Sequence, residues 1–123
     1  MSLDDLHERT YQKKSYNCTH FAADVWERLT GQDIKEALTD TLAQYGVRHS
    51  APDAARLRFK RLDAPGEGPS IALFLRPGCE PHMGVFIQDR VWHLHECGVA
   101  FERFDVVAMF FKKVRFYLPC AVN

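Results

Sequence analysis

The spacing of hydrophobic residues after position 17 predicts a well-defined helix. Apolar side chains recur every three or four residues and share one helical stripe, formed by Cys18, Phe21, Ala22, Val25, Trp26 and Leu29. Asn17 is a favourable N-cap, and the pair Thr30-Gly31 is a natural C-terminal stop. We therefore predict a helix over residues 17–30.

Weaker helical patterns occupy the rest of the N-terminal half. A second stripe runs from about Asp33 to Tyr45, and a third pattern from Pro52 to about Phe59 has its proline suited to a first helical turn. Residues 1–14 are polar and predict a short helix or an arm. Residues 63–70, rich in proline and glycine, predict a loop that separates the helical half from a strand-rich half.

After Ser70 the pattern is typical of β-strands. Short apolar or alternating runs predict about five of them, over Ile71–Leu75, His82–Gln88, Val91–Glu96, Val106–Phe111 and Val114–Leu118. Helices followed by an antiparallel meander indicate an α+β fold rather than a parallel α/β sheet. At 123 residues the chain is expected to form a single domain, 1–123.

Composition and charge exclude several functional classes. The chain has 16 basic and 16 acidic residues, so it lacks the general attraction to phosphate backbones or anionic lipid, and neither nucleic acid nor membrane is expected as a partner. The N-terminus is acidic without an apolar segment, unlike a signal peptide, so we expect a cytoplasmic location. In that compartment reduced thiols are expected at Cys18, Cys79, Cys97 and Cys120.

Cys18 is the candidate nucleophile among these thiols. As the first residue of a helix capped by Asn17, it lies where unpaired backbone N–H groups and the positive end of the helix dipole converge. That environment favours thiolate over thiol, and it predicts a pKa below the usual value of about 8.5. The alternative is that Cys18 simply begins the apolar stripe of the helix.

A histidine-rich hairpin offers a base for that thiol. If Asp89 and Arg90 form a two-residue turn, Gly84 pairs with His95 and Phe86 with His93. Gly84 would then leave open space beside His82. One face of the hairpin carries His82, Gly84, Phe86, His93, His95 and Cys97. The opposite, apolar face is the predicted core side, with Met83, Val85, Ile87, Trp92 and Leu94.

Three interpretations of the histidine face remain open. The histidines are solvated surface groups, or they are metal ligands, with His93, His95 and Cys97 on one strand and His82 closing a tetrahedron. Against the metal site, a flat strand separates residues i and i+4 by about 13 Å. In the third interpretation, one histidine is the general base for Cys18 and another orients it.

Four segments also occur in an order found in a known family. Residues 16–25 read Tyr-Asn-Cys-Thr-His-Phe-Ala-Ala-Asp-Val; residues 71–74 and 82–87 read Ile-Ala-Leu-Phe and His-Met-Gly-Val-Phe-Ile. Residues 91–99 read Val-Trp-His-Leu-His-Glu-Cys-Gly-Val. Together, over about residues 11–118, they resemble the cysteine-bearing helix start, the strand pair that carries the catalytic histidine, and the strand that carries the third catalytic residue of the NlpC/P60 cysteine peptidases.

The resemblance implies a fold and a set of roles. The fold is papain-like α+β, with N-terminal helices packed on a five-stranded, mostly antiparallel sheet. Cys18 would be the nucleophile and His82 the base, without metal or cofactor. The third residue would be His95 or His93: the hairpin register favours His95, and the local motif favours His93. Backbone N–H groups at the helix start, including that of Cys18, would hold the oxyanion.

Departures from the family pattern limit what the resemblance implies about substrate. Asn17 replaces an aspartate, Thr19-His20 replaces Ser-Gly, and an upstream tyrosine can be matched only by Tyr11 or Tyr16. The expected activity is that of a thiol peptidase or amidase on a peptide or amide substrate. The stem peptide of cell-wall peptidoglycan is one substrate of this kind. Compact, signal-free relatives of this type are common among phage tail-associated proteins. The alternative is an inactive structural or tail-assembly module with the same fold.

Overall fold

The computed structural model describes residues 3–40 and 58–120, and these form an α+β structure. Its helical elements are a 3-10 helix at Asp4–Glu8 and the helices α1 (Cys18–Thr30), α2 (Lys35–Asp40) and α3 (Phe104–Ala108). Its strands are β1 (Phe59–Leu62), β2 (Ser70–Leu75), β3 (His82–Ile87), β4 (Arg90–His95), β5 (Gly98–Arg103) and β6 (Lys113–Pro119). Among the described helices, none is both long and apolar enough to cross a membrane.

The strands form one antiparallel sheet in the order β1-β6-β2-β3-β4-β5. From β2 to β5 each strand pairs with the next in sequence, which is the predicted meander. β6 then returns to the other side of β2 and pairs with β1 as well. The described part of the sheet therefore has six strands rather than five, and β3 lies in its interior between β2 and β4.

The prediction for the first helix is confirmed, including both of its ends. The Asn17 side-chain oxygen accepts hydrogen bonds from the backbone N–H groups of Thr19 (3.0 Å) and His20 (3.4 Å). In return the Asn17 N–H donates to His20 Nδ1 at 3.1 Å, so the capping is reciprocal. Gly31 ends the helix with a φ of 79°, a left-handed conformation that favours glycine.

The predicted core face of the hairpin packs against α1. Met83, Val85, Trp92 and Leu94 are buried, as predicted, in one cluster with the apolar stripe of α1, which contributes Phe21, Ala22, Val25 and Trp26. Leu6, from the 3-10 helix, is also fully buried there. This packing fixes the first turn of α1 beside the start of β3, which is where the candidate nucleophile and base belong.

The opposite face of the sheet, which carries the histidines as predicted, is partly covered by apolar side chains. A second cluster covers it, formed by Ala72, Phe74, Phe86, Val91, Val107 and Phe116. Val107 comes from α3, which lies where the sequence predicted a strand over Val106–Phe111. That prediction is wrong because two adjacent β-branched residues resemble a strand, whereas here the short helix buries Val107 and leaves Val106 exposed.

Other boundaries also differ from the sequence prediction. The second predicted helix is confirmed over Lys35–Asp40, and its remainder to Tyr45 lies outside the described residues. The third predicted helix, from Pro52, falls mostly outside them too, but its last residue, Phe59, begins β1 instead. The loop after residue 62 is confirmed up to the start of β2 at Ser70. β1 and β5 were not predicted.

The β3–β4 hairpin turns one residue earlier than predicted. Gln88 and Asp89 form the turn with φ values of 50° and 65°, so Ile87 pairs with Arg90. Gly84 therefore pairs with His93 and not with His95. The predicted register was wrong by two residues, a shift that leaves every side chain on the same face. The hydrophobic pattern cannot detect such a shift, because it specifies only which residues face the core.

Candidate active site

Cys18 and His82 line the same cavity, which lies where the first turn of α1 meets the start of β3. Its volume is about 540 Å³. The remaining wall comes from the segment before α1, the loop before β3 and the end of β4, namely Tyr11, Lys13, Lys14, Asn17, Thr19, Glu80, Pro81, Leu94, His95 and Glu96. The two residues predicted as nucleophile and base therefore line one cavity.

The electrostatic environment of Cys18 differs from the expectation. Burial raises the pKa of its thiol, and hydrogen bonds from the backbone of Met83 and from Thr19 only partly oppose that rise. The capping interactions occupy the N–H groups of Asn17, Thr19 and His20. The prediction of a lowered pKa is therefore wrong in direction, because desolvation outweighs the helix terminus and the thiol form is favoured at rest.

His82 makes its hydrogen bond to His93 and not to His95. His82 Nε2 lies 2.9 Å from His93 Nδ1, and the two rings are nearly perpendicular at 81°. The pairing of Gly84 with His93 makes His93 the diagonal neighbour of His82, within reach of two imidazole rings. His95 lies at the cavity wall, where its Nδ1 accepts a hydrogen bond from the Cys97 N–H at 3.2 Å.

Two aromatic side chains pack near the His82 ring. Phe111 and Phe74 have ring centroids 5.7 Å and 5.8 Å from that of His82. Burial, together with the neighbouring His93 and His95, lowers the pKa of His82 to about 3. The imidazole is consequently neutral over the physiological range, with a proton on only one of its two nitrogens.

Gly84 does not leave open space beside His82, contrary to the prediction. A Cβ atom at this position would lie 2.7 Å from Val91 Cγ1, 2.8 Å from the Trp92 carbonyl oxygen and 3.2 Å from His93 Cβ. The glycine instead allows β4 to approach β3 closely. The position of His93, and so its hydrogen bond to His82, depends on that approach.

Glu102 extends the pair of histidines, and sequence reasoning missed it. Its Oε2 lies 3.8 Å from His93 Nε2, an atom that is buried and has no hydrogen-bond partner among the described residues. Burial lowers the pKa of His93, although the carboxylate of Glu102 acts in the opposite direction. The strand that carries Glu102 was not predicted, so no signal in the sequence placed this residue beside the histidines.

Two charged or polar features distinguish the cavity further. Of the two tyrosines considered as replacements for the upstream family residue, Tyr11 lines the cavity, whereas Tyr16 donates a 2.5 Å hydrogen bond to Asp24 Oδ2. The wall also carries both signs of charge. Lys13 and Lys14 come from the segment before α1, and acidic side chains come from the loop and strand end, Glu80 and Glu96.

The metal ligands suggested by the sequence are only partly brought together. Within the described part of the chain, ligand atoms of His93, His95 and Glu102 all lie within 4.8 Å of one another. Cys97 is exposed and falls outside this group, and His82 Nε2 is engaged by His93. This group therefore differs from the ligand set of the metal interpretation, with a carboxylate in place of the thiolate.

Comparison of the chain with protein-family models, with curated proteins and with solved structures finds no match. The class defined by the fold and the cavity is that of an α+β protein in which a helix-terminal thiol shares a cavity with a hydrogen-bonded pair of histidines.

Proposed function

We propose that the protein is a cysteine hydrolase that cleaves an amide bond in a peptide-like substrate, following the plan of the NlpC/P60 peptidases. The observation that carries the proposal is the shared cavity of Cys18 and His82, with His82 hydrogen-bonded to His93 behind it. Thiol, base and orienting group are the three parts that nucleophilic catalysis of this kind requires. In this proposal the third residue is His93 rather than His95.

The hydrogen bond between the histidines determines which proton arrangement is active. When His82 Nε2–H donates to His93 Nδ1, the other nitrogen of His82, Nδ1, is left as a proton acceptor for Cys18. In the same arrangement His93 Nε2 carries a proton, and the nearby carboxylate of Glu102 stabilises it. Glu102 is then a positioning residue that favours the active tautomer.

The reaction begins from a neutral thiol and a neutral imidazole. The thiol proton of Cys18 moves to His82 as sulfur bonds to the carbonyl carbon, and the carbonyl electron pair moves to oxygen. The C–N bond then breaks, the amine leaves with the proton returned by His82, and a thioester remains. Water gives a proton to His82 and attacks the thioester, which releases a carboxylic acid and the thiol. The Cys18 N–H at the start of α1 is the proposed donor to the oxyanion.

The cavity wall supports a substrate that carries both signs of charge. Lys13 and Lys14 can contact a carboxylate, and Glu80 and Glu96 can contact an ammonium group. Short peptides with free termini have this character, and so do the stem peptides of peptidoglycan. We therefore propose a peptidoglycan stem peptide as the substrate to be tested first.

Acyl-enzyme formation tests the proposal directly. The protein is incubated with muropeptides and with an activated ester, and mass spectrometry follows both product release and the covalent adduct on Cys18. Cys18→Ala should abolish the adduct, and His82→Gln and His93→Gln should slow its formation by about a hundredfold or more. His7→Gln, an exposed histidine on the 3-10 helix, is the matched control and should react at the wild-type rate. Wild-type activity in Cys18→Ala would refute the proposal.

One observation favours a second candidate, an inactive module that retains the fold in a structural or tail-assembly role. The pKa of Cys18 is raised and that of His82 is lowered, so burial opposes an ion pair between them. An inactive module would form no covalent adduct with either probe. Circular dichroism of the wild-type protein would verify that the missing adduct is not due to misfolding.

A further inference from the structure

We propose that His93, His95 and Glu102 form a binding site for a divalent transition metal such as Zn²⁺, and that the bound ion switches off the base His82. The site lies on the adjacent strands β4 and β5. The second part of the proposal rests on the proposed function, whereas the first part does not.

The three ligand groups are already close to the spacing that zinc requires. Their ligand atoms lie within 4.8 Å of one another, and His93 Nε2 is 3.8 Å from Glu102 Oε2. In a tetrahedral zinc site two ligand atoms lie about 3.3 Å apart. Because the Glu102 side chain is 42% exposed, it can rotate to close this difference. Three protein ligands leave one position for water.

The strongest indication is the state of His93. The residue is only 5% exposed, and its Nε2 has no hydrogen-bond partner in the described structure although it points towards a carboxylate. A buried nitrogen without a partner is costly, and a metal ion would supply one.

His95 can join the site at small cost. Its Nδ1 accepts a hydrogen bond from the Cys97 N–H, which lies in an exposed turn. If the metal takes this nitrogen, water can replace it as the partner of that N–H. If the metal takes Nε2 instead, the proton moves to Nδ1 and the contact with Cys97 is given up.

A metal ion on His93 Nε2 would determine the tautomer of both histidines. The proton of His93 would then lie on Nδ1 and be donated to His82 Nε2, 2.9 Å away. Neutral His82 would in turn carry its own proton on Nδ1, the nitrogen that must accept a proton from Cys18. Metal binding and catalysis therefore require opposite proton arrangements, and the metal is an inhibitor.

Metal binding is measured first, on the full chain and without reference to activity. Co²⁺ is titrated and followed by its visible absorption, and Zn²⁺ competition then gives the affinity. We expect one ion per chain, with binding at least about tenfold weaker in His95→Ala and in Glu102→Gln. Glu27→Gln, an exposed glutamate on α1, is the matched control and should bind normally.

Four other outcomes of the titration would refute the proposed metal site. Loss of binding in Cys97→Ser would restore the thiolate ligand set predicted from the sequence. Loss in Cys18→Ser would place the ion at the thiol in the cavity. Absence of a one-to-one Co²⁺ spectrum in the wild type, or wild-type affinity in both His95→Ala and Glu102→Gln, would show that the cluster binds no metal.

The switch is tested separately, by adding Zn²⁺ to the hydrolysis reaction. Each variant is compared with its own metal-free rate, and His95→Ala should need about tenfold more Zn²⁺ than the wild type for half inhibition. Equal inhibition of the two proteins would refute the switch while leaving the metal site intact. A protein that binds Co²⁺ through these residues but hydrolyses nothing would instead refute the proposed function and, with it, the switch.

Discussion

The ring of Phe111 lies parallel to the ring of His82, with an interplanar angle of 2° and a centroid distance of 5.7 Å. Phe111 follows α3, the segment that the sequence placed in a strand. This contact and that of Phe74 place aromatic carbon against the candidate base and contribute to the burial that is the main cause of its lowered pKa. The segment after α3 therefore contributes to the environment of the candidate base, although it lies outside the helix and hairpin segments that carry the family resemblance.

The lowered pKa of His82 predicts a loss of stability in acid. Between pH 6.5, its ordinary value, and about 3, its value in the fold, the unfolded chain binds a proton that the folded protein does not. Stability therefore falls as the pH falls through this window. From pH 7 to pH 5, the wild type should lose about 2 kcal/mol more unfolding free energy than His82→Gln.

Urea unfolding at the two pH values measures this difference. His7→Gln removes an exposed histidine and serves as the control, which should behave like the wild type. An equal loss in wild type and His82→Gln would mean that His82 titrates normally in the folded protein.

The raised pKa of Cys18 predicts slow alkylation at neutral pH. Since the thiolate is the reactive form, iodoacetamide at pH 7.5 should modify Cys18 more slowly than the same residue in the urea-unfolded chain. The rate should continue to rise above pH 9. Site-resolved mass spectrometry distinguishes Cys18 from the exposed Cys79 and Cys97. Fast modification below pH 8 would show that a thiolate is already present at rest.

Gly84→Ala should destabilise the fold and disturb the histidine pair together. The added Cβ would meet the Trp92 carbonyl oxygen at 2.8 Å, and a backbone atom cannot move aside without shifting β4. We expect a loss of about 1–3 kcal/mol in unfolding free energy. Gly66→Ala, in the loop before β2 where nothing lies within 4 Å, is the control and should be nearly neutral. A stable Gly84→Ala protein would contradict the close approach of β3 and β4.

Two substitutions of Asn17 distinguish its role as a helix cap from its effect on the reactivity of the Cys18 thiol. Asn17→Ala removes the acceptor of the Thr19 and His20 N–H groups and should cost about 1 kcal/mol. Asn17→Asp keeps the acceptor, so its stability should be close to that of the wild type, while the added negative charge should slow alkylation of Cys18. Thermal unfolding and the alkylation rate are measured on both variants. Equal destabilisation by the two changes would mean that capping is not the main role of Asn17.

Local signals in the sequence were sufficient for α1 and for the central strands. The Asn17 cap, the apolar stripe and Gly31 lie within one helix, and alternation along β3 and β4 identifies their core side without knowledge of the partner strands. Elements that depend on contacts between residues distant in the sequence could not be predicted in this way. β5 has a mixed burial pattern, and α3 packs only through Val107 and its neighbours, so neither carries a clear period.

The candidate site was predictable only to the level of residue type. The sequence placed a thiol at a helix start and histidines on one face, and the structure brings Cys18 and His82 into one cavity. It could not decide between His93 and His95, because both face the same way and a two-residue change of register exchanges them. The role of Glu102 could not be predicted from the sequence, because its contact with His93 depends on the unpredicted pairing of β4 with β5.

The turn at Gln88 and Asp89 offers a way to redesign the protein. Both residues hold positive φ angles, which Asn-Gly adopts more readily than the natural pair. Replacing Gln88-Asp89 with Asn-Gly would lower the conformational cost of closing the ribbon that carries both imidazoles. A more stable β3–β4 hairpin would better tolerate substitutions of the two histidines.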